Sequence, residues 1–549
     1  MPLDALITGR IATLAGVAGF GWVEAIGIRD GRVAFAGSEV DLETRADPHT
    51  ERLTLEPDQV ALPGLTDAHL HLVQAGLAAR QVDLTGTRSL AAGLAAIRDR
   101  HERLGDGRAW LQGHGWDSDR WGRWPTAEDL DSVAPGRRVA LWAHDHHALL
   151  ASSTALREAG ITRTTPDPPG GIIRRTATGD AEGVLHEAAA RIVMNQVPAA
   201  TTEEVEAAVR LAGRELLELG VVACHDPGGL SLDTDLTGSF PAYANLSENG
   251  RLPLRVHVSV RQEALPVAIE RGLTSGTRIG SNPAGRAVVG WLKVFADGSL
   301  GSRTAALIDD IEPEPDRPLP ADQRRGVWMT DPAELVDLAS RAADAGIATQ
   351  IHAIGDAAVR AALDALEPVA GRTALLSRVE HVQLVDPTDV GRFAAAGIVA
   401  SVQPVHVRSD AAQARTLWGE RAERSAYAWG SLASSGAILA FGTDAPVEPI
   451  DPWPGLALAI RREDPTWPAG TEPFGPHEAI SLEQAIRAAC IGPAVAAGEA
   501  DRGRLTVGQR ADVVVIPAAA IDDPVEPGGA LASVRPDIVV LDGEVVHER

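Results

Sequence analysis

Eight short apolar segments, each with polar residues at or near its carboxyl end, constrain the fold of this chain more than any other feature. Near-continuous hydrophobic segments are typical of parallel strands that are covered on both faces. With helices predicted between them, eight such strands indicate the α/β class and, within it, a (β/α)8 TIM-like barrel. The segments cover residues 60–72, 221–226, 254–260, 288–298, 347–356, 377–384, 397–404 and 437–447.

Signals for the two ends of a helix lie between these predicted strands. Thr201 precedes Glu204 by the spacing of a capping box, and Gly220 follows the last turn of the same apolar periodicity. Asp331 and Gly346 bracket a second segment of this kind, with a proline in its first turn. In both segments the glycine directly precedes a predicted strand, which is the order expected in a barrel of alternating helices and strands.

The two ends of the chain carry a different pattern. An Asp-Gly pair separates alternating apolar runs in residues 26–37 and again in residues 538–548. This arrangement is a strong signal for a β-hairpin with a two-residue turn. We therefore predict a small β-sandwich domain that both chain ends form together, from residues 1–60 and 500–549.

The segment between the first two predicted strands is too long to be one loop and one helix. A connection from a strand to a helix usually has about 2–6 residues. We therefore predict that residues 73–200 form an inserted subdomain that covers the barrel mouth, and that residues 61–72 and 201–499 form the barrel itself.

Charge and composition limit the partners of the chain. A net charge of −25 and a pI of about 5.0 argue against nucleic acid and against an anionic membrane surface. The first residues show no signal-peptide pattern, and no run of about 18 apolar residues occurs, so we expect a cytoplasmic protein with no membrane partner. The two cysteines, Cys224 and Cys490, predict no disulfide framework.

Histidines at the ends of predicted strands point to metal binding. His69 and His71 are two residues apart on the first predicted strand, so both side chains would lie on one face and could hold one ion together. His352, His381 and Asp444 stand at the ends of three later predicted strands. Because catalytic groups of such barrels lie at the carboxyl ends of the strands, we expect these side chains to converge.

Lys293 is the only lysine of the chain, beside forty-nine arginines, and it lies in the predicted strand 288–298. A buried lysine can lose its proton and act as a base, form a Schiff base or become a carbamate, whereas arginine stays protonated. A structural ion pair is the alternative for this side chain. Its position among the other strand-end residues favours a functional role.

Seven motifs form a set that spans essentially the whole chain: LPGLTDAHLHL, WLKVFADGSLGSRTA, IHAIGDAA, RVEHVQ, SVQPVH, FGTDAPV and GRLTVGQRADVVV. This set resembles the amidohydrolase superfamily, specifically the amidohydrolase 3 branch that includes N-substituted formamide deformylases. The chain departs from the branch at residues 145–147, where Asp-His-His stands in place of the usual Asp-Gly-His. It also has Ser152 in place of a usual asparagine and Thr443 in place of a common serine.

The resemblance implies a metal-binding barrel with two divalent ions. His69, His71 and Asp444 would bind the first ion, and His352 and His381 would bind the second. The donor set suits zinc, and it also admits manganese or iron. Some branches of the superfamily bind one ion, through residues that match His69, His71, His352 and Asp444, so the number of ions stays open.

The same resemblance implies a role for the lysine. Carbon dioxide would carboxylate the ε-nitrogen of Lys293, and the resulting carbamate would bridge the two ions and offset part of their charge. Asp444 would take a proton from the attacking water and pass it to the leaving amine. If only one ion binds, Lys293 would stay unmodified.

Four further residues are candidates with two open roles each. His147 and His406 would contact the substrate or have a structural role. Cys224 would be a soft metal ligand or, as the commoner outcome, a small buried thiol. Asp297 would support a ligand or cap a loop.

The implied function is metal-dependent hydrolysis of a carbon–nitrogen bond other than a peptide bond, in a small-molecule amide or N-formyl compound. The alternatives are a metal-dependent deaminase of a heterocyclic amine on the same scaffold, and a catalytically inactive scaffold protein. Tryptophans in the predicted insertion suit a hydrophobic or aromatic N-substituent. The oligomeric state stays open, with a homodimer as one candidate.

Overall fold

Eight parallel strands form one sheet in the computed structural model, which describes residues 3–78, 81–105, 109–228, 239–314, 319–524 and 530–549. Neighbours along the chain are neighbours in this sheet, from β1 at one edge to β8 at the other. The strands are β1 (Leu65–Asp67), β2 (Val221–Asp226), β3 (Arg255–Arg261), β4 (Ala287–Phe295), β5 (Thr349–Ala353), β6 (Arg378–His381), β7 (Val399–Val402) and β8 (Leu439–Phe441).

The two edge strands meet through the residues that follow them. The amide of Ala68 donates to the carbonyl oxygen of Phe441 at 2.9 Å, and the amide of Asp444 donates to the carbonyl oxygen of His69 at 2.7 Å. These hydrogen bonds close the ring just beyond the ends of β1 and β8. The predicted (β/α)8 barrel is therefore confirmed.

Helices surround the barrel where the sequence predicts them. Thr201 accepts from the amide of Glu204, and both halves of the predicted capping box form at the start of helix Thr202–Glu218. None of the helices in the described ranges is long and apolar enough to cross a membrane. Those packed around the barrel are Leu72–Ala78, Thr202–Glu218, Ser239–Glu248, Leu265–Glu270, Pro332–Asp344, Asp356–Leu366, Val390–Ala396, Val407–Trp418, Glu420–Ser425, Trp429–Ser434, Trp453–Arg461 and Leu482–Ala496.

Strands from both chain ends form a second sheet, which confirms the predicted terminal β-sandwich. Its two hairpins turn at Asp30-Gly31 and at Asp542-Gly543, as the sequence predicts. The strands of this terminal sheet are Ala5–Ala12, Trp22–Arg29, Arg32–Gly37, Glu51–Thr54, Gln59–Pro63, Val513–Pro517, Ile538–Leu541 and Glu544–Glu548.

A third sheet lies in the segment between β1 and β2. Its strands are Val82–Asp83, Leu111–Trp116, Val139–Ala143, Ala148–Ala151, Gly171–Arg175 and Ala181–Glu187. The helices of this segment are Leu90–Leu104, Ala127–Val133, Ser153–Glu158 and Ala190–Met194. The exact division of the chain into three domains stays a prediction.

The first predicted strand differs from the observed structure. It divides at Gly64, so that Gln59–Pro63 joins the terminal sheet and only Leu65–Asp67 belongs to the barrel. His69 and His71 lie beyond the strand rather than on it. The chain turns here because the carboxylate of Asp67 accepts the amides of His69 and Thr443, at 3.0 and 3.1 Å.

We predict that Gly64→Ala destabilises the junction between the terminal sheet and the barrel. A β-carbon at residue 64 would lie 2.7 and 2.9 Å from the two methyl carbons of Val222. Such overpacking costs ~1–3 kcal/mol, which a lower urea midpoint of unfolding would reveal. The matched control is Gly391→Ala, because a β-carbon there meets nothing within 4 Å and alanine favours the helix. Equal midpoints for the two variants would contradict the prediction.

Candidate metal centre in the barrel mouth

A cavity of about 960 Å³, partly open to solvent, lies at the carboxyl ends of the barrel strands. Its remaining wall comes from the segment between β1 and β2, which contributes Trp142 and the run His144 to His147. All of the side chains that the sequence predicted for the site line this cavity: His69, His71, His147, Lys293, His352, His381, His406 and Asp444.

Two histidines and one carboxylate converge at the centre of the cavity. The Oδ1 atom of Asp444 lies 3.4 Å from Nε2 of His69 and 3.3 Å from Nε2 of His71. Nε2 of His69 and Oδ1 of Asp444 are buried and have no hydrogen-bond partner among the described residues. Buried polar atoms are rarely left without a partner. Two imidazole nitrogens and a carboxylate oxygen at this spacing fit a divalent cation as the missing partner.

The other ring nitrogen of each of these histidines is held by an acceptor. Nδ1 of His69 donates to the carboxylate of Glu380 at 2.6 Å, and Nδ1 of His71 donates to the carbonyl oxygen of Gly228 at 2.6 Å. Each bond fixes the proton on Nδ1 and leaves the lone pair on Nε2. Such bonds orient metal-binding histidines and make them better donors.

His381 and His352 are held in the same way. Nδ1 of His381 donates to Oε1 of Gln403 at 2.8 Å, and Nε2 of His352 donates to the carbonyl oxygen of Gly298 at 2.9 Å. The lone pairs of these rings are therefore on Nε2 of His381 and Nδ1 of His352. The two ring centroids are 4.5 Å apart, so the rings are in edge-to-face contact. His381 also forms a group with His406 and Asp444 whose ligand atoms lie within 4.8 Å of one another.

Burial keeps the imidazoles of His69, His352 and His381 neutral, as ligands must be. It lowers the pKa of His69 to about 4 and lowers the pKa values of His352 and His381 well below the ordinary value. Burial alone would raise the pKa of Asp444, but His69, His406 and other neighbours outweigh it and hold that pKa well below its usual range. These three histidines thus offer neutral nitrogen donors beside the ionised carboxylate of Asp444.

Lys293 lies on β4 and is 1% exposed. Its Nζ atom is 4.7 Å from the centroid of the Phe295 ring. Burial lowers the pKa of Lys293 to about 7, although Glu380 and Asp444 act in the opposite direction. A substantial fraction of this side chain is therefore a neutral primary amine near neutral pH.

A chain of polar contacts runs outward from Asp444. Its Oδ2 atom lies 3.2 Å from Nε2 of His406, whose Nδ1 is 3.8 Å from the buried carboxylate of Glu448. Glu448 also contacts Nε2 of His144 at 3.0 Å. Burial would lower the pKa of His406, but Asp444 and Glu448 outweigh it and raise that pKa to about 10.

His147 approaches the cavity from the side of the inserted segment. Its Nδ1 atom lies 2.9 Å from the carboxylate of Glu187, and its ring centroid is 5.1 Å from that of His352. Glu187 also accepts from the hydroxyl of Thr304 at 2.7 Å. The inserted segment is thereby tied to the loop that follows β4.

Two of the converging residues have a strained backbone. Asp444 has φ of 60° and His381 has φ of 72°, in the left-handed region that favours glycine. A residue other than glycine in this region costs about 1 kcal/mol or more, and such residues cluster at functional sites.

The structure decides between the two open roles of Cys224 and shows both of those of Asp297. Cys224 packs in the hydrophobic core, and burial raises the pKa of its thiol well above the ordinary value, so it is a buried thiol. The carboxylate of Asp297 accepts the amides of Ala306, Ile354 and Gly355, which is a loop-capping role. Its Oδ1 atom also lies 3.6 Å from Nε2 of His352, so Asp297 supports a proposed ligand as well.

Sequence reasoning missed the acceptors that orient the histidines: Glu380, Gln403, Glu187 and Glu448. Glu380 and Gln403 were within the RVEHVQ and SVQPVH motifs, so the motifs alone offered a signal. His144 was visible as part of a histidine-rich run, but its contact with Glu448 joins residues that are 304 positions apart.

Comparison with known proteins connects this arrangement to a family. The sequence model of Amidohydro_3, described as an amidohydrolase family, matches residues 58–547. YtcJ of Bacillus subtilis, itself a predicted amidohydrolase, is 31% identical over 532 residues, which cover 96% of each protein. The protein LONG AFTER FAR-RED 3 of Arabidopsis thaliana is 31% identical over 516 residues, 91% of this chain and 85% of that protein.

An enzyme and a solved structure are also similar to this chain. The N-substituted formamide deformylase of Arthrobacter pascens is 27% identical over 541 residues, 96% of this chain and 95% of that enzyme. The crystal structure of an uncharacterised metal-dependent hydrolase from Pyrococcus furiosus has a TM-score of 0.70 and 27% identity. The similarity covers 93% of this chain and 98% of the Pyrococcus furiosus chain.

We predict that Gln403→Ala weakens metal binding by about 10–100-fold, because loss of such an oriented acceptor has this effect on metal sites. The measurement is the metal retained by the purified protein after dialysis against a graded chelator. Gln59→Ala is the control, since it removes a glutamine of the terminal sheet that donates to Asp537. Equal retention by both variants would show that the bond from Gln403 to His381 does not orient a ligand.

Proposed function

We propose that this chain, which belongs to the amidohydrolase family Amidohydro_3, hydrolyses an amide or N-formyl bond in a small molecule with the help of divalent metal ions. Membership makes the chain an enzyme that acts on carbon–nitrogen bonds other than peptide bonds. The amide or N-formyl substrate and the identity of the metal as zinc are the finer parts of the proposal.

One observation carries the proposal of metal-dependent hydrolysis. Four buried histidines around one cavity each have a ring nitrogen whose proton is directed to a protein oxygen, which leaves the other nitrogen as a lone-pair donor. This arrangement is costly unless a cation accepts the lone pairs, because Nε2 of His69 and Oδ1 of Asp444 otherwise lack partners within the described ranges.

The ligand roles are proposed as the motifs predict them. His69, His71 and Asp444 would hold a first ion, and His352 and His381 would hold a second. Each ion, when bound, would acidify water and polarise the carbonyl group of the substrate. Zinc is the preferred metal, because imidazole and carboxylate donors suit it.

Lys293, as a carbamate, would supply a second negative charge between the two ions. Asp444 is the ionised ligand among the residues proposed above, so it alone offsets little of the charge of two divalent ions. A carbamate needs a primary amine and carbon dioxide, and Lys293 is the one lysine in the chain. Its position on β4, in the wall of the same cavity, supports this bridging role.

Asp444 is the proposed proton carrier. Its carboxylate would accept a proton from the attacking water and deliver it to the nitrogen of the leaving amine. His406, 3.2 Å from Oδ2, would hold the carboxylate in position during both transfers. His147 would contact the amide group of the substrate, since Glu187 holds its Nδ1 atom and its ring lines the cavity.

A cytoplasmic location and a homodimeric assembly belong to the same proposal. Both cysteines are buried free thiols, as expected where thiols stay reduced. Light scattering would measure whether the chain forms the proposed homodimer.

We predict that chelation abolishes hydrolysis of N-substituted formamides and that added zinc restores it. Metal analysis of the active protein should find two ions per chain. One ion per chain with release of ammonia from a heterocyclic amine would instead favour the deaminase. Full activity of a metal-depleted protein, or binding of no metal at all, would contradict the proposal.

We further predict that Lys293→Arg abolishes turnover and lowers the metal content while the far-ultraviolet circular dichroism spectrum stays unchanged. Lys293→Ala should be equally inactive but partly rescued by added acetate, whose carboxylate can occupy the vacated space between the ions. Rescue of the alanine variant alone is the expected pattern, because the arginine side chain fills that space. Retention of turnover and two ions by Lys293→Arg would refute the bridging role.

A further inference from the structure

Gln383 lies in the wall of the metal cavity, and the proposed reaction gives it no role. It ends the RVEHVQ motif, two residues after β6, and is 3% exposed. The chain reaches this position through two residues in the left-handed region, His381 with φ of 72° and Val382 with φ of 46°. The backbone is then held by Tyr427, whose amide donates to the carbonyl oxygen of Gln383 at 2.7 Å.

The side-chain amide of Gln383 has a fixed orientation. Its Nε2 atom donates to Oδ2 of Asp410 at 3.2 Å, and the hydroxyl of Tyr427 donates to the same oxygen at 2.7 Å. The reversed amide would set its oxygen against a carboxylate oxygen, where neither atom has a proton to donate. Nε2 therefore faces Asp410, and Oε1 is the atom that is left for another partner.

Oε1 of Gln383 is a buried acceptor that receives no hydrogen bond from any described residue. Nε2 of His69 and Oδ1 of Asp444 are in the same state, and the proposed metal ion accounts for both. An amide oxygen in the wall of the same cavity needs a hydrogen-bond donor instead, because a buried acceptor without one is costly. A substrate that fills the cavity displaces water, so it must bring this donor itself.

The proposed amide hydrolysis, on which this inference rests, limits what the donor can be. A formamide with one substituent on nitrogen has one donor, its N–H, and its carbonyl oxygen is directed to the metal ions. We infer that Oε1 of Gln383 accepts the N–H of the bond that is hydrolysed. Gln383 thereby selects amides that carry a hydrogen on nitrogen over compounds that lack it, and it orients the nitrogen that Asp444 protonates.

The test compares N-benzylformamide with benzyl formate, in which an oxygen atom replaces the N–H, in the unaltered protein and in Gln383→Met. Methionine is similar to glutamine in length and is a much weaker acceptor. The variant should lower kcat/KM for N-benzylformamide by about 10–100-fold, because the N–H loses its buried acceptor. The value for benzyl formate should stay unchanged or rise, since the ester offers no donor to Oε1. If the ester is not hydrolysed, its inhibition constant takes the place of kcat/KM.

The ratio of the two compounds separates recognition from damage, because a defect in folding or in metal content would weaken both together. The matched control is Gln509→Met. Gln509 donates from Nε2 to the carbonyl oxygen of Ala500 at 2.8 Å, and its buried Oε1 also accepts nothing from a described residue. The described residues that line the metal cavity do not include it. This control should keep the ratio of the unaltered protein. In Gln383→Met, an equal loss for both compounds, a loss for the ester alone or no loss at all would each overturn the role of Gln383.

Binding to the metal-depleted protein keeps this inference separate from the proposed reaction. Calorimetry should show that Gln383→Met weakens the binding of N-benzylformamide and leaves that of benzyl formate unchanged. If no amide is hydrolysed but this selective loss of binding holds, the proposed hydrolysis fails and the N–H acceptor stands. If no amide is hydrolysed and the two proteins bind N-benzylformamide equally or not at all, both are overturned. Where formamides are hydrolysed, the ratio of kcat/KM values alone decides the role of Gln383.

Discussion

The hydrogen bond between His69 and Glu380 connects the barrel interior to the metal centre, and much of the site depends on it. Glu380 accepts from His69 at 2.6 Å and forms an ion pair with Arg378, Nε to Oε1 2.7 Å, and these three side chains are almost fully buried. The guanidinium group of Arg378 lies 3.9 Å from the ring centroid of Trp291. Loss of one member of a buried ion pair costs ~3–5 kcal/mol. The orientation of a proposed ligand is therefore coupled to the stability of the barrel.

Much of the fold could be predicted from the sequence because its signals are local. The apolar segments, the capping box at Thr201 and the hairpins at Asp30 and Asp542 each involve residues a few positions apart. The division of the first strand at Gly64 could not be predicted in this way. It depends on the terminal sheet, whose partner strand for Gln59–Pro63 lies near the other end of the chain.

The candidate site likewise has a part that local sequence signals predict and a part that depends on contacts between distant residues. Histidines, a lysine and an aspartate at strand ends are visible as residue types, and the cavity collects all of them. Their acceptors are not visible as such, because Glu380 lies 311 positions from His69 and only the folded barrel brings them together. His146 shows a related limit. The sequence records it as a departure from Asp-Gly-His, but the left-handed backbone that makes the departure costly appears only in the structure.

The charge of the proposed ligands gives a physical reason for the single lysine. Among the proposed ligands, the histidines offer lone pairs and the ionised Asp444 a single negative charge, which leaves two divalent ions strongly undercompensated. A second buried carboxylate on β4 would add that charge permanently, and it would be costly to bury whenever the ions are absent. A lysine carbamate would add the same charge reversibly, with carbon dioxide. Arginine cannot do this, which gives a physical reason for Lys293 in a chain that otherwise uses arginine as its basic residue.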